Sequence, residues 1–114
     1  MELKFVDNTL IAKIKGDMDH FNVSNMRTEL DKKISEQPVK NLIFDLSELD
    51  FMDSSGIGLL LGRYKLIKVF GGNVLISGAK SAVEKVILIS GLNKIIPMCK
   101  TLDDAFETVC GVMK

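Results

Sequence analysis

The sequence predicts an α/β domain: a mixed sheet opened by an N-terminal β-hairpin and continued by parallel strands, with four helices packed against it. Three observations lead there. Residues Thr9 to Lys15 alternate between apolar and polar positions, as in a strand with one wet face. Segments whose apolar residues run together follow at 41–46 and 73–77, as in strands buried on both sides. Between these runs, apolar residues recur three and four apart, the spacing of helices. Strands that alternate with helices in this way imply right-handed parallel crossovers.

The first strand covers residues 2–6 and turns at Asp7-Asn8. The second carries Leu10, Ala12 and Ile14 on one face and Ile11, Lys13 and Lys15 on the other, and Gly16 ends it. A first helix opens at Asn22 or Val23, with Asn22 as a candidate cap, and runs to about Ser35 on the stripe Val23, Met26, Leu30 and Ile34. Asn41 to Leu46 is the third strand. The second helix begins at Ser55, extends to about Phe70 and stops at Gly71-Gly72; Asn73 to Ser77 is the fourth strand. Ser81 and Glu84 form the pattern of a capping box ahead of a helix that Gly91 ends. Lys94 to Met98 reads as a short edge strand containing Pro97. Thr101 and Asp104 then open a last helix buried through Leu102, Ala105, Phe106 and Val109.

At 114 residues the chain is expected to form one domain, 1–114, and 46% hydrophobic content suffices for a core without disulfides or metal. Lys plus Arg and Asp plus Glu are each 15, and this balance argues against a nucleic-acid binder. No apolar run approaches the ~20 residues of a membrane span, and the N-terminus lacks signal-peptide regions. Cys99 and Cys110 fall in different elements, consistent with reduced thiols in the cytoplasm.

In open α/β sheets, ligands and partners meet the loops at the carboxyl ends of the strands. Here those loops are Gly16 to Phe21, Leu46 to Ser55 and Ser77 to Ser81. The middle one holds the most informative stretch, Phe51-Met52-Asp53-Ser54-Ser55-Gly56-Ile57-Gly58, where two hydroxyls and a carboxylate meet a helix start. Such a start presents unpaired N–H groups and the positive end of the macrodipole. The serines either only cap the helix or include one that receives a phosphoryl group. In the helix that follows, Gly58 and Gly62 share an arc with Lys65 and Lys68. That arc is either a tight contact with the sheet or, because lysines favour solvent, a bare docking strip.

With its continuation Leu61-Gly62-Arg63-Tyr64-Lys65, this block closely resembles the STAS domain family of anti-sigma factor antagonists, and most of all its sporulation-type members. Gly16-Asp17-Met18-Asp19-His20 and Ser90-Gly91-Leu92-Asn93-Lys94-Ile95-Ile96 match as well, so the likeness spans the chain. The resemblance implies a single STAS domain that is not an enzyme and needs no cofactor. It implies a partner switch in which the unphosphorylated protein binds a dimeric, ATP-dependent serine kinase that is also an anti-sigma factor. Binding frees the sigma factor for sporulation-type transcription. Phosphorylation of Ser54 ends the association, and a type 2C-like phosphatase restores it. Carried over residue by residue, Ser54 accepts the phosphoryl group, Ser55 caps the helix, and Asp19 contacts the anti-sigma factor. The wider docking surface comprises Asp53, Ser55, Gly56, Ile57, Gly58, Leu61, Gly62 and Lys65. A cytoplasmic monomer in a bacterium is expected, with no metal or catalytic residues.

Two rival functions fit less well. A hydrolase with Ser54 as nucleophile and His20 as base lacks the Gly-x-Ser-x-Gly elbow. A receiver-like module phosphorylated on Asp53, with Asp17, Asp19 and Lys100 around it, accounts for neither the opening hairpin nor the paired serines.

Overall fold

A computed structural model describes residues 1–112, with side chains as far as Val109, so the thiol of Cys110 lies outside the described part. Strands β1 (Glu2–Val6) and β2 (Thr9–Met18) form the expected antiparallel hairpin. Helix α1 (Val23–Glu36), strand β3 (Asn41–Met52), helix α2 (Ser54–Val69), strand β4 (Asn73–Ser77) and helix α3 (Ser81–Ser90) follow. A 3-10 turn at Leu92–Lys94 leads to β5 (Met98–Cys99) and helix α4 (Leu102–Val112). The sheet order is β1-β2-β3-β4-β5, with every pair after the hairpin parallel.

Period-two alternation assigns the two faces of the sheet. On one, Leu10, Ala12 and Ile14 of β2 join Leu42, Phe44 and Leu46 of β3 and Val74 and Ile76 of β4. They pack under Leu30 of α1, Leu59, Leu60 and Ile67 of α2, and Val83 and Ile87 of α3. On the other face Ile43 and Leu75 meet Ala105 and Val109 of α4 in a smaller cluster. Away from α4 this second face carries ion pairs instead, Lys13–Glu48 at 2.6 Å and Lys15–Glu2 at 3.0 Å. Hydrogen bonds from these lysines hold the Glu48 and Glu2 carboxyls below their ordinary pKa, and Glu48 in turn raises that of Lys13. Both pairs are exposed and screened by solvent, so they keep this half of the sheet wet more than they stabilise it.

Several expected boundaries shift. Strand β2 does not stop at Gly16 but passes through it, with φ +76, to Met18. Strand β3 runs six residues past Leu46, to Met52, so most of the expected Leu46–Ser55 loop is strand. The β2–β3 register slips between Lys13 and Lys15 and again between Gly16 and Asp17, each time with an extra residue on β3. These bulges let Leu49 and Met52 stay buried while Ser47, Glu48, Asp50 and Phe51 face outward. The final strand is Met98–Cys99 rather than 94–98: residues 92–94 form the 3-10 turn, and the Pro97 carbonyl accepts from the Ile76 N–H.

Capping also differs. Asn22 makes no side-chain cap to α1, and the Nδ2 group donates to the Asp17 carbonyl instead. The Ser81–Glu84 box does not form; Lys80 occupies the cap position and its carbonyl accepts from the Glu84 N–H. Gly91 ends α3 in the left-handed conformation, and Thr101 Oγ1 accepts from the Asp104 N–H, both as the sequence suggests.

The bulged ends of β2 and β3 receive the first turn of α2 closely. A Cβ on Gly56 would lie 2.7 Å from Met52 Cγ, 3.0 Å from Met18 Cβ and 3.1 Å from the Met18 carbonyl oxygen. Gly56 is therefore buried packing rather than docking surface, a correction forced by this contact. Gly58 and Gly62 are the opposite case, because a Cβ on either meets nothing within 4 Å. The arc they share faces away from the sheet. Gly56→Ala is expected to lower stability in urea by about 1–3 kcal/mol through overpacking. Gly58→Ala and Gly62→Ala should each raise it by up to about 1 kcal/mol, the helix-propensity gain. A Gly56→Ala midpoint at or above that of the parent would contradict the packing role.

Candidate phosphorylation and docking site

Because β2, β3 and β4 are parallel, their carboxyl ends and the three expected loops share one edge of the sheet. The Asp53 N–H donates to the Met18 carbonyl at 3.2 Å, which ties the start of α2 to the end of β2. Within this edge Ser54 is the first residue of α2 and is exposed. Its hydroxyl takes part in no side-chain hydrogen bond among the described residues.

The helix cap is Asp53, not Ser55. Asp53 has extended backbone angles, and its Oδ1 accepts from the Ser55 N–H at 2.8 Å. The Asp53 carbonyl accepts from the amides of Gly56 and Ile57. A carboxylate one residue before the helix outcompetes a hydroxyl inside it because it can reach the N2 amide and complements the dipole. Ser55, the second helical residue, is half-buried.

Asp19 organises the neighbouring loop. Its Oδ1 accepts from the N–H groups of Phe21 and Asn22, each at 3.0 Å, and its carbonyl accepts from Asn22 and Val23. Asp19 thus sets the entry to α1, the task that the sequence suggests for Asn22. Its second carboxylate oxygen has no hydrogen-bond partner among the described residues.

Along α2, Gly58 and Lys65 are exposed, and Gly62 is half-exposed beside them. Ile57 and Leu61 are half-buried against the main core, so only part of each is presented outward. Lys68 lies 5.8 Å over the Tyr64 ring. Arg63, 13% exposed, pairs with Asp31 of α1 at 3.1 Å and fixes α1 against α2. Of the expected site residues, Ser54 and the docking residues Asp19, Asp53 and Gly58 lie at the end of the molecule where β2 and β3 finish and α2 starts, with Gly62 and Lys65 farther down the helix.

Phe21 stands out here and was legible in the sequence only as one large apolar residue among polar ones. It is 85% exposed, and the His20 ring meets it edge-on at a centroid distance of 5.8 Å. Lys80, at the start of α3, pairs with Asp50 of the second bulge at 2.7 Å.

The rival chemistries find no support in this geometry. The His20 ring rests on Phe21, and no hydrogen bond joins it to Ser54 among the described residues. Receiver-type doubly wound sheets have strand order 2-1-3-4-5, whereas this order is sequential with an antiparallel edge. The Asp53 carboxylate is engaged as a cap, and no metal-holding cluster of acidic, His or Cys side chains occurs among the described residues.

The family model for the STAS domain matches residues 1–105. An anti-sigma F factor antagonist from Paenibacillus polymyxa is 35% identical over 98 residues, covering 86% of this chain and 84% of that protein. The solved structure of the anti-sigma factor antagonist SpoIIAA in its unphosphorylated form superposes with a TM-score of 0.84 at 31% identity, covering 96% of each chain. That of the Bacillus cell fate determinant SpoIIAA in the phosphorylated form gives a TM-score of 0.73 at 29% identity, covering 95% of this chain and 97% of the other.

Asp53→Ala is expected to destabilise the fold by about 1 kcal/mol, the usual cost of losing a cap. Ser55→Ala should change stability by less than about 0.5 kcal/mol. Thermal melts of the two variants check this, and the reverse order would return the capping role to Ser55.

Proposed function

The chain belongs to the STAS domain family, among its anti-sigma factor antagonists, and from that premise we propose that it is a phosphorylation-controlled partner switch acting through Ser54. Unmodified, it binds an anti-sigma factor with serine kinase activity and thereby releases a sigma factor of the sporulation type. The kinase transfers the γ-phosphoryl group of ATP to the Ser54 hydroxyl, the antagonist departs, and a type 2C-like phosphatase hydrolyses the ester. The protein regulates by binding and performs no catalysis of its own.

The observation that carries this proposal is the exposed hydroxyl of Ser54, on the first residue of α2, at the edge shared with Asp19. A phosphoserine adds a charge of about −1.5 to −2 together with considerable bulk. Asp53 is adjacent and the Asp19 loop is bound to the same strand ends, so the edge becomes strongly negative. A partner that pairs a cation with the free oxygen of Asp19 and lies along Gly58 and Gly62 then meets bulk and misplaced charge. Exclusion needs no rearrangement of the fold. A penalty of a few kcal/mol suffices, since ~1.4 kcal/mol is tenfold in affinity.

Incubation with the anti-sigma factor and ATP, followed by mass spectrometry, tests the assignment. Ser54→Ala should fold normally, take up no phosphate and stay bound, whereas phosphate uptake by this variant would move the site elsewhere. Ser54→Asp should bind at least about tenfold more weakly. For Asp19 the two roles separate. Asp19→Asn keeps an acceptor for the Phe21 and Asn22 amides but loses the charge, so it should weaken binding with the melting temperature nearly unchanged. Asp19→Ala removes both and should also lower stability by about 1 kcal/mol. If Asn and Ala melted alike and bound alike, the division of labour between the two carboxylate oxygens would be wrong.

A further inference from the structure

We propose that Phe21 is an aromatic anchor that enters an apolar pocket on the anti-sigma factor, with the Asp17 and Asp19 carboxylates meeting a basic rim around that pocket. This rests on the antagonist function proposed above and adds to it the residue that supplies apolar binding energy.

Three observations carry the inference. First, Phe21 is 85% exposed and does not belong to either core cluster, so folding gives no reason for a phenyl ring there. Second, its position is preset: the Phe21 amide donates to Asp19 Oδ1, the Asn22 amide donates to the same atom, and the Asn22 side chain donates to the Asp17 carbonyl. His20 braces the ring edge-on. A ring held on a prearranged loop loses little freedom on binding, which favours affinity. Third, the loop is continuous with the Ser54 edge through the hydrogen bond from the Asp53 N–H to the Met18 carbonyl.

An exposed aromatic flanked by acids has the composition of an interface hot spot, an apolar centre within a polar rim. The complementary surface is therefore an apolar pocket bordered by Lys or Arg. Asp19 serves twice in this arrangement, positioning Phe21 with Oδ1 and offering its other oxygen to the rim.

Calorimetric titration of the purified anti-sigma factor encoded in this protein's own genome, held in ADP to prevent phosphoryl transfer, tests the anchor. Phe21→Ala should weaken binding roughly 10- to 100-fold with an unchanged melting temperature, and Phe21→Leu should recover most of the loss. Ser54→Asp is titrated in parallel. If the parent binds, Ser54→Asp does not, and Phe21→Ala matches the parent, the anchor is refuted and the switch stands. If the parent fails to bind, or binds no better than Ser54→Asp, the switch fails and the anchor with it. Sedimentation of the parent and Phe21→Ala provides a further arm. Loss of self-association with binding unaltered would reassign the ring to contact with a second copy of this chain and overturn the proposal.

Discussion

The close seating of the first turn of α2 on the ends of β2 and β3 is the constraint on which the rest depends. It exists because residue 56 has no side chain and because β3 is bulged twice against β2. The bulges deliver Met18 and Met52 to the same depth, Gly56 admits the helix onto them, and the Asp53 N–H closes the joint on the Met18 carbonyl. Ser54 is exposed because its neighbours on the chain are committed inward: Asp53 to the amides, Gly56 to the two methionines. The placement of the hydroxyl is thus a product of packing between a strand end and a helix rather than of the Leu46–Ser55 loop that the sequence suggests there.

The glycines of α2 divide the helix into two jobs. Gly56 costs helix propensity but offsets that cost with buried contact. Gly58 and Gly62 carry the same cost, about 1 kcal/mol each relative to alanine, and have no compensating contact within the chain. Stability that is forgone without an internal reason points to a use outside the molecule. The strip is bare, borders Lys65, and starts one turn from Ser54, so a surface laid along it and extended toward the start of α2 reaches the residue that carries the hydroxyl.

Much of this architecture is legible in the residues alone. The hairpin, the parallel crossovers and the main core follow from hydrophobic period, and the helix ends at Gly71 and Gly91 from the chemistry of glycine. The strand ends were not readable, because Asp17, Glu48 and Asp50 look like loop residues unless the bulges that turn them outward are known. Period-two reasoning breaks wherever an extra residue enters a ladder. Caps failed for a different reason. Ser55, Asn22 and Ser81 all have the right composition, yet at the first two sites an aspartate nearby, Asp53 or Asp19, won the amides, and at the third no side chain did. Several polar residues in a row leave the register of a cap undetermined by composition alone. The family motif singled out Ser54, which is exposed at the start of α2, but it also swept in Gly56, whose neighbours are fixed only by tertiary contact.

The occupied cap also bears on how a modification would be felt. A helix start usually welcomes an anion through its unpaired amides. Here the amides of Ser55, Gly56 and Ile57 all donate to Asp53, the first to its carboxylate and the others to its carbonyl. A phosphoryl group on Ser54 would have to displace the Asp53 carboxylate from the Ser55 amide and draw the other two amides off the Asp53 carbonyl. Its charge would therefore be displayed at the surface instead of being absorbed by the helix, and would add to that of Asp53. For the proposed switch, whose output is rejection of a partner, this is the favourable arrangement: the fold would neither gain nor lose much, while the outward field would change by nearly the full charge of the phosphate. On the proposed reading, a rigid scaffold with its helix-start amides already occupied would convert a single esterification into a difference that only the partner experiences.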